Sequence, residues 1–284
     1  MTFSIVGRSP DSSALGVAVA SKFLAVGAYV PAAAIGAGAL ATQADVNLAL
    51  KRRGIELMAG GAGAGDALQR FFADDDGREE RQAGAVDARG GAGTFTGARC
   101  QPWAGGRTGE GPEGSFAVQG NILTGADVVE AMVDSWRGSA AVPSLARRLF
   151  AALVAGDAAG GDRRGRQSAA LLVISPAGGY GGSSDVVVDL RSDDSTAPIE
   201  ELARMLDLHE LYFGSTPEAE MLPLRGDLAA ELAAELVDRL GRTGYASGDV
   251  ARDLYDWMGR ENYEERWRDG LVDPVVLAQL RRTT

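Results

Sequence analysis

The chain has 284 residues, 45% apolar and 24% charged, enough for one large domain or a domain with a small module, and too apolar for wholesale disorder. Its formal net charge is -11 with no basic tract to offset it, which argues against nucleic acid and membrane surfaces as partners. Cys100 and His209 are the only residues of their types, so an internal disulfide, a thiolate cluster and a multi-histidine zinc site are excluded, and neither metal nor organic cofactor is expected.

Residues 3–7 alternate in polarity, with Thr2, Ser4 and Val6 on one face and Phe3 and Ile5 on the other, which predicts a strand starting on Thr2. The turn-forming run Ser9-Pro10-Asp11-Ser12-Ser13 and a second apolar stretch, 15–20, make this a hairpin. The Ala/Gly/Val-rich stretch 28–43 has too few polar residues for a surface helix. It predicts a buried strand near 37–43, whose small side chains imply a second layer close against it. Helices are expected at 48–58 and 66–73, separated by a glycine-rich turn that lacks the Gly-Lys-Ser/Thr ending of a phosphate loop. Strands follow at 82–87 and 93–96, joined by a tight turn, then another near 116–119. Helices at 126–136 and 144–155, strands at 168–174 and 185–190, and a helix at 198–211 complete the unit.

Strands, helix pair, strands, helix pair, strands, helix is not the strict β-α-β alternation of a doubly wound sheet. It predicts an α+β fold of two antiparallel sheets stacked face to face, each with helices outside, over residues 1–215. After the breaker-rich Gly214-Ser215-Thr216-Pro217, three short helices predict a small all-α domain over 216–284. The second is capped near Asp249, and the third has Asp273 at its N-cap with Pro274 following. No run is long enough to span a bilayer, and the opening residues lack the features of a signal peptide, so a cytoplasmic location is expected.

Removal of Met1 would make Thr2 the first residue, placing a hydroxyl nucleophile and a free α-amine on one residue. That amine has a reference pKa of roughly 7.7–8.0, so it can serve as the base for its own hydroxyl. Lys22 closes the second strand and, in a hairpin returning beside Thr2, would lie near that amine and lower its pKa. Asn121, in Gln119-Gly120-Asn121 at a strand end, can donate to an oxyanion. The segment 160–168 concentrates Asp162, Arg164, Gln167 and Ser168 at a strand entrance and reads as a polar site wall. Arg99 and Trp103 form a rim with an anion-friendly and an aromatic side. Cys100 and His209 read as packing or rim residues.

Together these residues resemble a bacterial Ntn-hydrolase-like family catalogued as domain of unknown function 1028. The matching segments are Thr2–Val6, Gly16–Lys22, Ala41-Thr42-Gln43, Arg81-Gln82, Thr96–Cys100, Trp103-Ala104-Gly105, Gln119-Gly120-Asn121 and Gly160–Ser168. One departure is Asp45-Val46-Asn47-Leu48, where the family carries an aromatic residue and an Asn-Pro turn. The tail resembles the peptidoglycan-binding module often appended to the family, through Gly244-Tyr245, Trp257, Glu261-Asn262, Arg266, Asp273 and Leu280.

The resemblance implies a four-layer αββα fold and amide chemistry. Thr2 would be the nucleophile, with Lys22 and Asn121 assisting, and Ser21, Gln43, Arg99, Trp103, Asp162, Arg164, Gln167 and Ser168 would surround a small amide or peptide-like substrate. Homo-oligomerisation and a cell-wall fragment at the C-terminal domain are the further candidate partners. A non-catalytic binding protein using the same pocket, and an assembly protein using its C-terminal helices, remain the alternatives.

Overall fold

The structure is a computed structural model and describes residues 2–241 and 247–282. Met1 and the Gly244-Tyr245 match lie outside the described residues.

The chain forms two compact units, Met1–Met205 and Leu206–Thr284, which divide inside a helix and ahead of the boundary at 215/216 expected from sequence. The first is an α+β unit with two antiparallel sheets. One has six strands in the order β10-β9-β2-β1-β8-β7: β1 (Thr2–Arg8), β2 (Leu15–Ser21), β7 (Gly105–Gly109), β8 (Ser115–Asn121), β9 (Ser168–Ile174) and β10 (Val186–Ser192). The other has four in chain order: β3 (Pro31–Ala34), β4 (Gly38–Ala44), β5 (Arg81–Asp87) and β6 (Ala92–Thr96). The helices are α1 (Val26–Tyr29), α2 (Ala49–Ala59), α3 (Ala64–Ala73), α4 (Asp127–Gly138), α5 (Leu145–Ala158) and α6 (Pro198–Phe213), the last crossing into the second unit.

Strand alternation sorts the side chains. Val6, Val17 and Val19 of the six-stranded sheet form one buried cluster with Ala39, Ala41 and Val86 of the four-stranded sheet. Leu40, Ala83 and Ala85 point the opposite way and bury Leu50 and Met58 of α2 with Leu68 and Phe72 of α3. Each of the Val, Leu, Met and Phe side chains contributes about 1.5–3 kcal/mol when fully buried, and each alanine methyl less. On the far face of the six-stranded sheet, glycines admit bulky helix residues. A Cβ on Gly7 would stand 2.7 Å from the Trp136 ring of α4, and one on Gly16 would stand 2.7 Å from Leu149 of α5. Ser144 caps α5 by accepting from the Arg147 amide at 3.3 Å.

Among the helices and strands named in this unit, three were not expected from sequence: α1, β3 and β7. The first is four residues long, the second is Pro-Ala-Ala-Ala, and β7 is Gly-Gly-Arg-Thr-Gly with partly exposed side chains.

The second unit holds α7 (Gly226–Gly241), α8 (Val250–Arg260) and α9 (Pro274–Arg282), with a two-residue pairing of β11 (Leu222–Pro223) and β12 (Leu271–Val272). Leu232, Leu236, Leu254, Trp257, Val276 and Leu280 lie at its centre. Asp249 caps α8 through the Ala251 and Arg252 amides. Asp273 accepts from the Val275 amide at 2.8 Å and from Arg266 at 2.9 Å. Arg266 also donates to the Leu211 and Glu210 carbonyls, so it clamps this unit together. Among the described residues no helix is long and apolar enough to cross a membrane.

Candidate functional site

Antiparallel register brings the head of β1 to one end of the six-stranded sheet. Thr2 lies opposite Asn121 of β8, and Ser21 of β2 lies opposite Ser168 of β9. The Thr2 and Ser21 hydroxyls are 3.1 Å apart. Asn121, Thr2, Ser21 and Ser168 therefore form a polar row across four adjacent strands, and every member is at most 5% exposed.

Beneath the row lies a buried amide network that joins the two sheets. Gln43 of β4 donates through Nε2 to the Thr2 carbonyl at 3.2 Å, the Gln82 Oε1 at 2.8 Å and the Gln119 carbonyl at 3.4 Å. Its Oε1 accepts from the Ser4 hydroxyl at 2.6 Å, and Ser4 in turn accepts from Gln119 Nε2 at 2.6 Å. Gln82 of β5 donates to the carbonyls of Gly120 at 2.7 Å and Gly105 at 3.3 Å and to the Thr96 hydroxyl at 3.0 Å. Carbonyl oxygens only accept, so Gln82 Nε2 must face them. Its Oε1 must then face the donors Gln43 Nε2 and Asn121 Nδ2, the latter at 2.9 Å. The orientation of three amides follows from this chain. Gln82, Ser4 and Gln119 are fully buried. From sequence, Gln119 stands out only as part of the Gln119-Gly120-Asn121 motif, and Gln82 and Ser4 are not singled out as site residues, because a polar side chain on a strand reads as surface until a distant strand supplies its partners.

The neighbouring segment 160–166 turns on left-handed glycines, Gly160 at φ 115° and Gly161 at φ 49°. It delivers Asp162, whose carboxylate accepts from the Lys22 amide at 2.7 Å and the Arg164 amide at 2.8 Å, with the Arg164 guanidinium at 3.3 Å. Asp162 thus pins the end of β2 to this segment. Arg166 pairs bidentately with Asp157 at 2.8 Å, and the carboxylate holds the guanidinium above its usual pKa. A cleft of about 130 Å³ opens here, with Phe3 and Ile199 as apolar walls and Ser21, Asp162, Arg166 and Ser168 as polar ones.

Of the residues expected at the site, Thr2, Asn121 and Gln43 belong to the polar row and its amide network, whereas Ser21, Asp162 and Ser168 line the cleft, whose lining does not include Thr2. The Lys22 ammonium is exposed and donates to the Arg166 carbonyl at 3.3 Å, which places it beside the 160–166 segment. The Ser168 hydroxyl donates to the Phe23 carbonyl at 2.5 Å and accepts from the Val26 amide at 3.0 Å, which ties down the β2–α1 connection. Gln167 is bonded to Asp194 at 3.0 Å in an exposed position. Arg99 is exposed and paired with Glu80 at 2.5 Å. The Trp103 carbonyl accepts from the Leu123 amide at 3.0 Å, placing this loop beside the end of β8. The departure at Asp45–Asn47 is held by Arg81 on Asp45 at 3.0 Å and by Asn47 on Asp75 at 2.8 Å.

Two backbone outliers flank the network. Ile122, directly after Asn121, has φ 51°, and Ala44, directly after Gln43, has φ 67°. A β-branched residue is strained in that conformation, which persists only where surrounding bonds impose it. For Ile122 these include its amide on the Gln101 carbonyl at 2.9 Å. Among the described residues no group of three or more His, Cys, Asp or Glu side chains is arranged to hold a metal ion.

The model of a family of unknown function, DUF1028, matches residues 2–202. The chain is also similar to the crystal structure of a Silicibacter pomeroyi protein carrying that family model. Identity is 30% and the TM-score 0.65, over 80% of this chain and 88% of that one. No match was found among curated proteins.

Proposed function

The chain belongs to the DUF1028 family, and from its site we propose that it is an N-terminal-nucleophile amidohydrolase on a four-layer αββα scaffold, acting on a small amide or peptide-like bond. The observation that carries the reading is the Thr2 hydroxyl at the head of β1, 3.1 Å from the Ser21 hydroxyl and opposite Asn121.

Once Met1 is removed, Thr2 Oγ1 attacks the substrate carbonyl carbon. Its proton passes through the Ser21 hydroxyl or a water to the Thr2 α-amine. The carbonyl π pair moves onto oxygen. Asn121 Nδ2 gives one hydrogen to Gln82 and has a second for that oxyanion. Collapse breaks the C–N bond, and the leaving amine takes the proton from the Thr2 ammonium. Water then cleaves the Thr2 ester and regenerates the hydroxyl. Arg166 and Asp157 face the cleft as an ion pair, and Asp162 holds the end of β2 in place. The C-terminal helical unit is assigned as a peptidoglycan-binding-like interaction element, with a cell-wall fragment or a second copy of the chain as partner.

The test is turnover of a panel of small N-acyl amides. Thr2→Ala abolishes it and Thr2→Ser retains part of it, with both variants folded; unchanged activity in Thr2→Ala would sink the mechanism. The low exposure of Thr2, 5%, favours one rival, a binding protein that uses the cleft without chemistry. Saturable binding of an amide without product, unaffected by Thr2→Ala, would establish that rival.

A further inference from the structure

Gln43 and Gln82 are both fully buried, and their amide groups are taken up by hydrogen bonds within the protein. The amides they offer converge on the two residues that the proposed chemistry uses and on the backbone beside them. Gln43 reaches across from the four-stranded sheet to the carbonyl of Thr2 itself. Gln82 accepts from Asn121 Nδ2 at 2.9 Å and anchors the carbonyl of the preceding residue, Gly120, at 2.7 Å. The 2.8 Å bond between Gln43 and Gln82 makes the two anchors one unit.

A strand end is where backbone pairing stops and fraying begins. Thr2 is the first residue of β1, and Asn121 is the last of β8. Without a cross-sheet tether both would sample several orientations. The tether is directional, because the carbonyls facing Gln82 Nε2 dictate which way each amide points. A second sign of imposed geometry is that β4 and β8 leave the network through left-handed non-glycine residues, Ala44 and Ile122.

We propose that Gln43 and Gln82 are positioning residues: a buried amide relay that sets the orientation of Thr2 and Asn121 jointly. This rests on the hydrolase reading. The relay couples the two sheets to the attack geometry, so loosening either glutamine slows Thr2 without altering the groups that react.

The experiment uses the full-length protein with Met1 removed and a small β-lactone as probe. Thr2 Oγ1 attacks the lactone carbonyl, the ring C–O bond breaks, and the ring oxygen leaves as a hydroxyl that takes the Thr2 proton. The product is a hydroxylamine-labile ester with no atoms lost. Intact-mass and peptide mapping locate the adduct, and the acylation rate is followed against pH.

Gln43→Met should slow Thr2 acylation by about tenfold to a hundredfold, the range expected for a misplaced nucleophile. Leu149→Ala, which destabilises the remote face of the six-stranded sheet, should leave the rate within about twofold, because distant sites act independently. Thr96→Val removes one acceptor of Gln82 without altering side-chain shape, and it keeps the test available where Gln43→Met does not fold. It should slow acylation by a smaller factor of about threefold, in keeping with loss of one of several bonds.

Wild-type rates and pH profiles in folded Gln43→Met, or in Thr96→Val where the former does not fold, would overturn the relay while leaving the hydrolase intact. Equal slowing in Leu149→Ala would also overturn it, by showing a general stability effect. Absence of any Thr2 adduct in the wild-type protein would overturn the hydrolase reading and the relay with it.

Discussion

Gly84 sits on β5 directly against the Gln119 side chain of β8. A Cβ built there would lie 1.8 Å from Gln119 Oε1 and 2.4 Å from its Cδ, well inside contact distance. Gln119 cannot swing into solvent, being fully buried, and it is held by Ser4 through bonds of 2.6 and 3.4 Å. Gly84→Ala must therefore expel the amide or part the sheets. Loss of the Ser4 bond with its partners left buried costs about 1–3 kcal/mol. Forced repacking adds about 1–3 kcal/mol. Alanine returns roughly 0.5–1 kcal/mol through the lower entropy of its unfolded chain. The net expectation is a loss of about 1–5.5 kcal/mol, read by urea unfolding as a lower midpoint at unchanged slope. Adding Gln119→Ala should relieve the overlap, so the double variant should be more stable than the sum of the singles by about 0.5–3 kcal/mol. A loss under about 1 kcal/mol, or strict additivity, would refute this packing of β5 on β8.

In the C-terminal unit, Asp273→Ala leaves Arg266 as an unpaired charge in a site only 6% exposed, and should destabilise that unit by about 3–5 kcal/mol, measured by thermal unfolding. Asp11 is held at a pKa of about 2, chiefly by the Ser9 hydroxyl and then by the Ser13 amide and hydroxyl. Its contribution to stability is therefore complete above its ordinary value of 3.8 and lost as pH falls through about 2; the wild-type and Asp11→Asn stability curves should converge at that acid end. Gly138 closes α4, and a Cβ there would meet nothing within 4 Å, so Gly138→Ala should raise stability by about 0.5–1 kcal/mol in the same urea assay.

Much of the fold could be read from local pattern. The alternation Thr2-Phe3-Ser4-Ile5-Val6 and its return at 15–20 became β1 and β2, and Asp249, Asp273 and Ser144 cap helices as their residue types suggest. What escaped had little pattern to read. Pro31–Ala34 is alanine after a proline, neutral between helix and strand until β4 pairs with it. Gly105–Gly109 has no apolar side chain and is a strand only because β8 supplies the ladder. The site divides in the same way. Thr2 and Asn121 each fall at a strand end that local pattern marks, but their pairing, and the roles of Gln82 and Ser4, come from contacts between distant strands. Ser168 and Arg99 carried the right chemistry for a site wall. Ser168 lines the cleft while its hydroxyl also holds backbone, and the Arg99 guanidinium pairs with a neighbouring carboxylate, contacts that no local motif records.

The most direct test of the central claim is the intact mass and N-terminal residue of the protein isolated, untagged, from its own cells. The account predicts a chain that begins at Thr2, with its α-amine free. Retention of Met1 throughout the preparation would leave the hydroxyl without its base and contradict the proposed chemistry.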